Sequence, residues 1–251
     1  MQEFLEFAHD LVTCPGQMIR DRFLKRDWDV SLKDDRSVVT EVDRQAEEMI
    51  RSQIKKRYPD HGIIAEEFGN ENEEAEFVWV IDPIDGTISF ISGVPLFGTL
   101  VGLLHQGKPV VGSIYQPVLD LCCLGDNHST TLNGTPTSVR QRPLAESTLL
   151  ITDPLLVPQY QDQEGYNALC NEVSQMRTWG DCYGYLMIAS GQADLMLDPI
   201  VNPWDILPII PIIRGAGGRI TAWDGGEPDS PTSAVAGSSD IHTQAISLLN
   251  R

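Results

Sequence analysis

The run Trp79-Val80-Ile81-Asp82-Pro83-Ile84-Asp85-Gly86-Thr87 places two carboxylates three positions apart at the end of an apolar, strand-like segment, Phe77 to Ile81. A strand ending in a turn aims Asp82, the Ile84 carbonyl and Asp85 at one point, and these are hard oxygen donors of the kind Mg²⁺ takes. Gly86 and Thr87 then open a predicted helix, whose free N–H groups make an anion site beside the carboxylates. Metal plus phosphate is the chemistry this spacing suggests. Asp, Pro and Gly are also turn formers, so a solvated turn is the alternative reading of the same run.

Three further blocks set acids beside apolar runs. Glu66-Glu67 follows Gly62-Ile63-Ile64-Ala65; Trp204-Asp205 precedes an apolar stretch closed by Gly215-Ala216-Gly217-Gly218; Val39-Thr40-Glu41-Val42-Asp43 leads into a helical pattern. Taken singly, each has a structural reading. Asp205 suits a helix N-terminus, where the macrodipole favours an acid. Asp43 suits the N-cap of the helix it opens. Adjacent residues on an extended segment face opposite ways, so Glu67 is expected behind Glu66 or towards solvent.

The elements that must carry these blocks follow from periodicity. Phe4, Leu5, Ala8, Leu11 and Val12 keep helical spacing, and Met18, Ile19, Phe23 and Leu24 resume it beyond a break at Pro15-Gly16. A helix is predicted from about Asp43 to Arg57, with Ala46, Met49, Ile50 and Ile54 inward, and an exposed loop over Asn70 to Glu76. Strands are predicted over Phe97–Leu104, Val110–Tyr115 and Leu119–Leu124, with a tight turn at Asn133-Gly134. In the second half the pattern predicts a strand at Thr148–Thr152, a helix over about Gln159–Gln175, a buried helix at Cys182–Ala189 and a strand at Ala193–Leu197. It continues with a helix over Pro203–Arg214, strands at Gly218–Ala222 and Ala234–Ala236, and a closing helix at Ile241–Leu249. Pro208 falls inside the Pro203–Arg214 helix and is expected to disturb it, three residues beyond Asp205. Helices mixed with hairpin and crossover connections indicate α/β layers.

Composition narrows the partners. The 251 residues suit one unit of two packed halves, with the boundary near residues 146 and 147, and 41% hydrophobic content supplies a core. With 36 acidic against 18 basic residues the formal charge is −18, which repels nucleic acid polymers and anionic membranes. An acidic protein that handles phosphate needs its local field reversed, and bound divalent cations do that. The five cysteines form no CxxC pair and no zinc spacing, which favours free thiols in a reducing compartment. The first residues carry acids and no basic segment ahead of an apolar stretch, and no run reaches the ~18 apolar residues of a membrane span. A soluble, cytoplasmic protein is expected.

In order and spacing, the four acidic blocks resemble the inositol monophosphatase superfamily of metal-dependent phosphatases, over roughly Lys33 to Gly237. The resemblance implies the layered αβαβα sugar-phosphatase fold and two or three Mg²⁺ per site, with Mn²⁺ as a substitute. It implies that Glu66, Asp82 and the Ile84 carbonyl hold one cation, and that Asp82, Asp85 and Asp205 hold a second, Asp82 bridging. Two cations about 4 Å apart suit in-line phosphoryl displacement, one activating the attacking water and the other stabilising the leaving oxygen. In the family pattern Thr87 and Asp43 bond to each other beside that water and Glu66 is close enough to take its proton. Gly86, Thr87 and Asp205 border the substrate. Lys33, ahead of Asp34-Asp35-Arg36-Ser37, matches a lysine that neutralises a carboxylate of the site, or is a solvated charge. Ala65, Val38 and Ile88 depart from residues common in relatives, and none of them removes a ligand side chain. A homodimer is implied by the resemblance alone.

Metal ligands specify the reaction and leave the alcohol open. Gly180-Asp181-Cys182-Tyr183-Gly184-Tyr185, the block Ile91–Leu100 and Pro211 resemble the histidinol-phosphate phosphatase branch of the superfamily. A carboxylate at Asp181 suits an alcohol bearing an amine and an imidazole, although Asp181 also reads as the N-cap of the helix that follows. Asp198 aligns with an acidic substrate-binding position. Three readings therefore compete: a histidinol-phosphate phosphatase, a broader inositol-, sugar- or nucleotide-type monophosphatase, and a non-catalytic scaffold.

Overall fold

Helices α1 (Gln2–Thr13) and α2 (Gly16–Lys25) are separated where Pro15 and Gly16 interrupt the periodicity, as the sequence predicts. This is a computed structural model, and it describes residues 1–33, 38–227 and 232–251; the Asp34-Asp35-Arg36-Ser37 motif lies outside them. Strands β1 (Val30–Leu32) and β2 (Val38–Thr40) form a small antiparallel ladder leading into α3 (Glu41–Arg57). The main sheet then builds from β3 (Gly62–Ala65), β4 (Phe77–Asp85), β5 (Gly98–His105), β6 (Lys108–Gln116), β7 (Leu121–Gly125), β8 (Thr130–Leu132) and β9 (Thr135–Pro136), with the short helix α4 (Thr87–Ile91) after β4. These seven strands lie in chain order; β3 and β4 are parallel and the remaining pairs antiparallel.

A second sheet follows from β10 (Thr148–Ile151). Next come α5 (Val157–Tyr160), α6 (Gln163–Glu172), β11 (Gln175–Arg177), α7 (Asp181–Ala189) and β12 (Leu195–Asp198). The chain closes with α8 (Pro203–Ile206), α9 (Ile209–Gly215), β13 (Arg219–Thr221), β14 (Ala234–Gly237) and α10 (Ser239–Leu249). Its order is β11-β10-β12-β14-β13, parallel across the first three strands and antiparallel at β14.

Strand alternation assigns the layers. In β4, Trp79 and Ile81 face α1 and α3 in one core with Leu11 and Ile50, while Val78 and Val80 face a second core shared with α7 and α9. That second core also takes Leu150, Met196 and Ala236 from the five-stranded sheet, whose other face packs Leu149, Leu195 and Val235 against α6 and α10. Helices, sheet, helices, sheet, helices is the αβαβα arrangement. Both sheets are covered on both faces, which is why their strands read as near-continuous apolar runs.

Two local departures from the predicted elements bear on the site. The strand expected to stop at Ile81 continues to Asp85, because Pro83 sits at a register shift between Asp82 and Asp85 where no ladder hydrogen bond from its nitrogen is needed. The helix predicted across Pro203–Arg214 is two helices with Pro208 between them. Pro208 is accommodated by glycines: Gly102, Gly112 and Gly125 are aligned across β5, β6 and β7. A Cβ at Gly112 would stand 1.8 Å from the Pro208 carbonyl oxygen, and one at Gly125 would stand 2.5 Å from the Ile212 Cα. The backbone around Pro208 thus lies flush on the sheet, and Asp205 reaches the end of β4. Farther from the site, the predicted Gln159–Gln175 helix is also divided. Gln161 is extended, the Asp162 side chain caps α6, and Gln175 begins β11.

Candidate metal centre and phosphate-ester site

The bulge in β4 is what turns the two aspartates together. The Thr99 hydroxyl, buried on the neighbouring strand, donates to the Pro83 carbonyl at 2.9 Å and fixes the bulged backbone. Asp205 arrives from the first turn of α8, where its Oδ2 accepts the Asn202 N–H at 2.7 Å. Asp205 is therefore at once a helix-terminal acid and a member of the acidic cluster. Carboxylate oxygens of Asp82, Asp85 and Asp205 lie within 4.8 Å of one another.

The electrostatics of that trio are unfavourable by themselves. Burial, then the charges of Glu66, Asp85, Asp205 and Asp43, push the Asp82 carboxyl well above the usual range. Asp85 is raised well above that range by burial and by Asp181 and Asp205, and burial lifts Asp205 to about 6. Asp82 is 2% exposed, and its Oδ1 has no hydrogen-bond partner among the described residues. A buried acceptor left without a donor, among three converging carboxylates, fits a divalent cation. The donors are oxygens, with no thiolate or imidazole in the set, which suits Mg²⁺ or Mn²⁺ over zinc.

Glu66 stands beside this trio and is held differently. Lys33 Nζ lies 2.7 Å from both Glu66 Oε1 and Glu67 Oε1. Burial opposes the ammonium, but the two carboxylates prevail and raise Lys33 to about 12. Lys33 is thus paired with Glu66, the carboxylate expected to be a ligand, and is not a free solvated charge. The alternative of a solvent-facing Glu67 does not hold, since its side chain is 3% exposed. Glu66 couples to Asp82 and Asp205 by charge, and it lines the outer cleft.

Asp43 does not cap α3 as the N-cap residue; Thr40 does, and Asp43 is the third helical residue of a capping box that accepts the Thr40 N–H at 2.9 Å. Its remaining oxygen, Oδ1, faces Thr87 Oγ1 at 3.4 Å. The Thr87 hydroxyl is closer to the Ile84 carbonyl, 3.1 Å, so the expected Thr87–Asp43 pair is loose here. A carbonyl has two lone pairs, and Thr87 uses one at Ile84. Burial raises Asp43 to about 6.

Asp181 is the first residue of α7 and makes no side-chain cap, so the capping alternative is removed. Its φ is +51°, a left-handed conformation unusual for a residue other than glycine and one in which Asp is tolerated. Its N–H donates to Thr152 Oγ1 at 2.9 Å, and its Oδ2 accepts from Ser89 at 3.3 Å. The next N–H, Cys182, donates to Asp85 Oδ2, tying α7 to the acidic trio. Gly86 is required opposite: its φ is +87°, and a Cβ there would come within 2.8 Å of Asp181 Oδ2. Asp198 is buried at the end of β12, accepts the Tyr185 hydroxyl at 2.7 Å, and is lifted by burial to about 7.

These groups surround a cavity of about 90 Å³ lined by Asp85, Asp153, Asp181, Asp198 and Asp205 with Thr152, Tyr185 and the apolar walls Leu156, Pro199, Ile200 and Val201. An outer cleft of about 600 Å³ carries Glu66, Gly86, Thr87, Ser89 and again Asp153 and Asp181. Sequence reasoning missed Asp153, Thr152 and Ser89. Asp153 ahead of Pro154 reads as a turn residue, and it does accept the Leu155 N–H at 2.8 Å. Tyr185 was visible within the Gly180–Tyr185 block, without a role.

Comparison with known proteins gives the family. The inositol monophosphatase family model matches residues 1–251. The chain is 40% identical to the chloroplastic bifunctional phosphatase of Arabidopsis thaliana, over 99% of this chain and 75% of that protein. It is 38% identical to the histidinol-phosphatase of Chlorobaculum parvum, over 85% of this chain and 83% of that one. The structure superposes with a TM-score of 0.85 on an inositol monophosphatase from Zymomonas mobilis, at 30% identity, covering 100% of this chain and 98% of the other. Among the described residues no helix is long and apolar enough to cross a membrane. The chain belongs to the inositol monophosphatase family and is a phosphatase, a hydrolase of phosphate monoesters.

Proposed function

We propose that this phosphatase hydrolyses L-histidinol phosphate to L-histidinol and phosphate. The observation that carries the reading is the acidic cavity: besides Asp85 and Asp205 of the metal-type trio, it is lined by Asp181, Asp198 and Asp153. An alcohol with an ammonium and an imidazole gains charge-assisted hydrogen bonds there, whereas a neutral polyol donates only weaker, uncharged hydroxyl hydrogen bonds to the same carboxylates. The name carried by the Chlorobaculum relative supports the same substrate.

Glu66, Asp82, Asp85, Asp205 and the Ile84 carbonyl are the groups that would hold two or three Mg²⁺, with Mn²⁺ as a substitute. When bound, such cations withdraw charge from the phosphoryl oxygens and acidify water. The chain's own part is orientation and proton transfer. Thr87 and Asp43 orient the attacking water, and Glu66 takes its proton. Gly86 and Thr87 border the phosphate, while Asp181, Asp198 and Asp205 orient the alcohol. Five free cysteines support a reducing compartment such as the cytoplasm, and a homodimer is proposed from family membership.

A second reading, a monophosphatase of wider range that includes inositol 1-phosphate, is supported by the Zymomonas neighbour. The test is kcat/KM for histidinol phosphate, inositol 1-phosphate and an adenosine bisphosphate, all with Mg²⁺. A preference of at least about tenfold for histidinol phosphate, equivalent to ~1.4 kcal/mol, is expected. Equal or reversed values would transfer the assignment to the second reading.

A further inference from the structure

Glu47 lies on α3, fully buried and outside the acidic trio. Both of its carboxylate oxygens are engaged. Oε1 accepts Arg51 Nε at 2.7 Å and the Phe68 N–H at 3.1 Å, and Oε2 accepts the Glu67 N–H at 2.7 Å. Arg51 is pinned in turn. One guanidinium nitrogen donates to Glu71 Oε1 at 2.8 Å and the other to the Gly69 carbonyl. The pair therefore grips the segment just after β3, the segment that starts with Glu66.

A buried ion pair is weak as a source of stability, because an apolar pair of the same volume does about as well. What an apolar pair cannot do is accept from the Glu67 and Phe68 amides, which would lose their acceptor in a partly buried turn. The carboxylate supplies direction. With both amides fixed on α3 the turn after Ala65 cannot rotate, so Glu66 faces the outer cleft beside the trio and Glu67 stays behind it on Lys33.

We infer that Glu47, braced by Arg51, is a positioning residue that aims Glu66 and so sets the affinity of the site for a divalent cation. The inference rests on the reading of Glu66 as a metal ligand. It is tested by Mn²⁺ binding to the full chain, followed by electron paramagnetic resonance, together with kcat and the apparent Mg²⁺ constant. In Glu47→Gln an amide NH₂ replaces one acceptor and meets donors. Mn²⁺ binding is expected to weaken by about 10- to 100-fold, the range for groups that orient a metal's ligands. The apparent Mg²⁺ constant should rise by the same factor, with kcat recovered at saturating Mg²⁺. Arg51→Lys keeps a cation against Glu47 but gives up the Gly69 and Glu71 contacts, and it should show a smaller loss in the same direction.

Glu66→Gln is the reference that separates the two claims. If Glu66→Gln binds Mn²⁺ like the parent, the ligand assignment fails and this inference with it. If Glu66→Gln weakens binding but Glu47→Gln stays within about twofold of the parent, the assignment stands and the positioning role is overturned. A lower melting temperature with unchanged metal constants counts as the second result. Should Glu47→Gln not fold, Arg51→Lys decides by the same criterion.

Discussion

Replacing Gly112 with alanine should damage a site that the residue never touches. The new Cβ would lie 1.8 Å from the Pro208 carbonyl oxygen, whereas a carbon–oxygen contact rests near 3.3 Å, so the α8–α9 segment must retreat by roughly 1.5 Å. Neither partner is a flexible side-chain end: one is a central strand and the other is backbone. Overpacking of this kind costs about 1–3 kcal/mol, which for a chain of this size lowers the melting temperature by roughly 2–12 °C. Asp205 rides on the displaced segment, and a misplacement of about 1 Å can cost ~100-fold in rate. Gly102→Ala is the graded comparison, with its Cβ 2.9 Å from the Pro208 Cα and therefore a smaller shift. Thermal unfolding and Mg²⁺-dependent turnover measure both effects. A Gly112→Ala protein with the parent's melting temperature and the parent's turnover would refute the idea that the glycine row seats Asp205.

The remaining predictions concern charge. Asp82→Asn should abolish turnover yet raise the melting temperature in chelator, since it removes a buried charge from three converging acids; a fall in chelator would contradict that account. Asp181→Asn should weaken histidinol phosphate hydrolysis by roughly 10- to 150-fold while sparing p-nitrophenyl phosphate, and Asn tolerates the φ of +51° at this position. Equal losses on both substrates would mean that Asp181 does not read the alcohol. His242 is held neutral by burial, with its pKa lowered to about 4, and its Nδ1 has no partner among the described residues. Its folded pKa lies below the unfolded value, so its contribution is present above about pH 6.5 and is lost as pH falls towards 4. Between pH 7.5 and 4.5 the parent should lose on the order of 2 kcal/mol more stability than His242→Gln, by denaturant unfolding; parallel losses would exclude this group. Sedimentation at micromolar concentration should show a dimer, and a monomer would remove that proposal.

Much of the candidate site is legible because its acidic residues sit where the chain punctuates itself. Asp82 to Thr87 marks the end of a strand, and Asn133-Gly134 marks a hairpin, where both residues indeed take positive φ. What stayed hidden depended on partners distant in sequence. Glu47 beside Glu48 reads as a solvated helix charge; only the Glu67 and Phe68 amides, brought over by β3, make it a core residue. The break in the Gln159–Gln175 helix was invisible because Asp162, its new cap, differs in no local way from other polar residues on a helix face. Strands β1, β8 and β9 are two or three residues long, too short to show a period. The bulge at Pro83 was missed for the opposite reason, since proline argues against a strand until the neighbouring Thr99 shows how the kink is used.

The meeting of Asp82 and Asp85 with Asp205 joins positions about 120 residues apart in the chain. No fragment ending before α8 contains the acidic trio, so during synthesis the acids of β4 wait without Asp205 opposite them. When the C-terminal sheet docks, three like charges are brought together, and that closing contact opposes itself. A divalent ion that binds only the closed arrangement would reverse the sign of that contact, favouring it by about 2.7 kcal/mol at a hundredfold excess over its dissociation constant. The salt of the surroundings then becomes a determinant of how long each molecule survives proteases, quite apart from how fast it turns over.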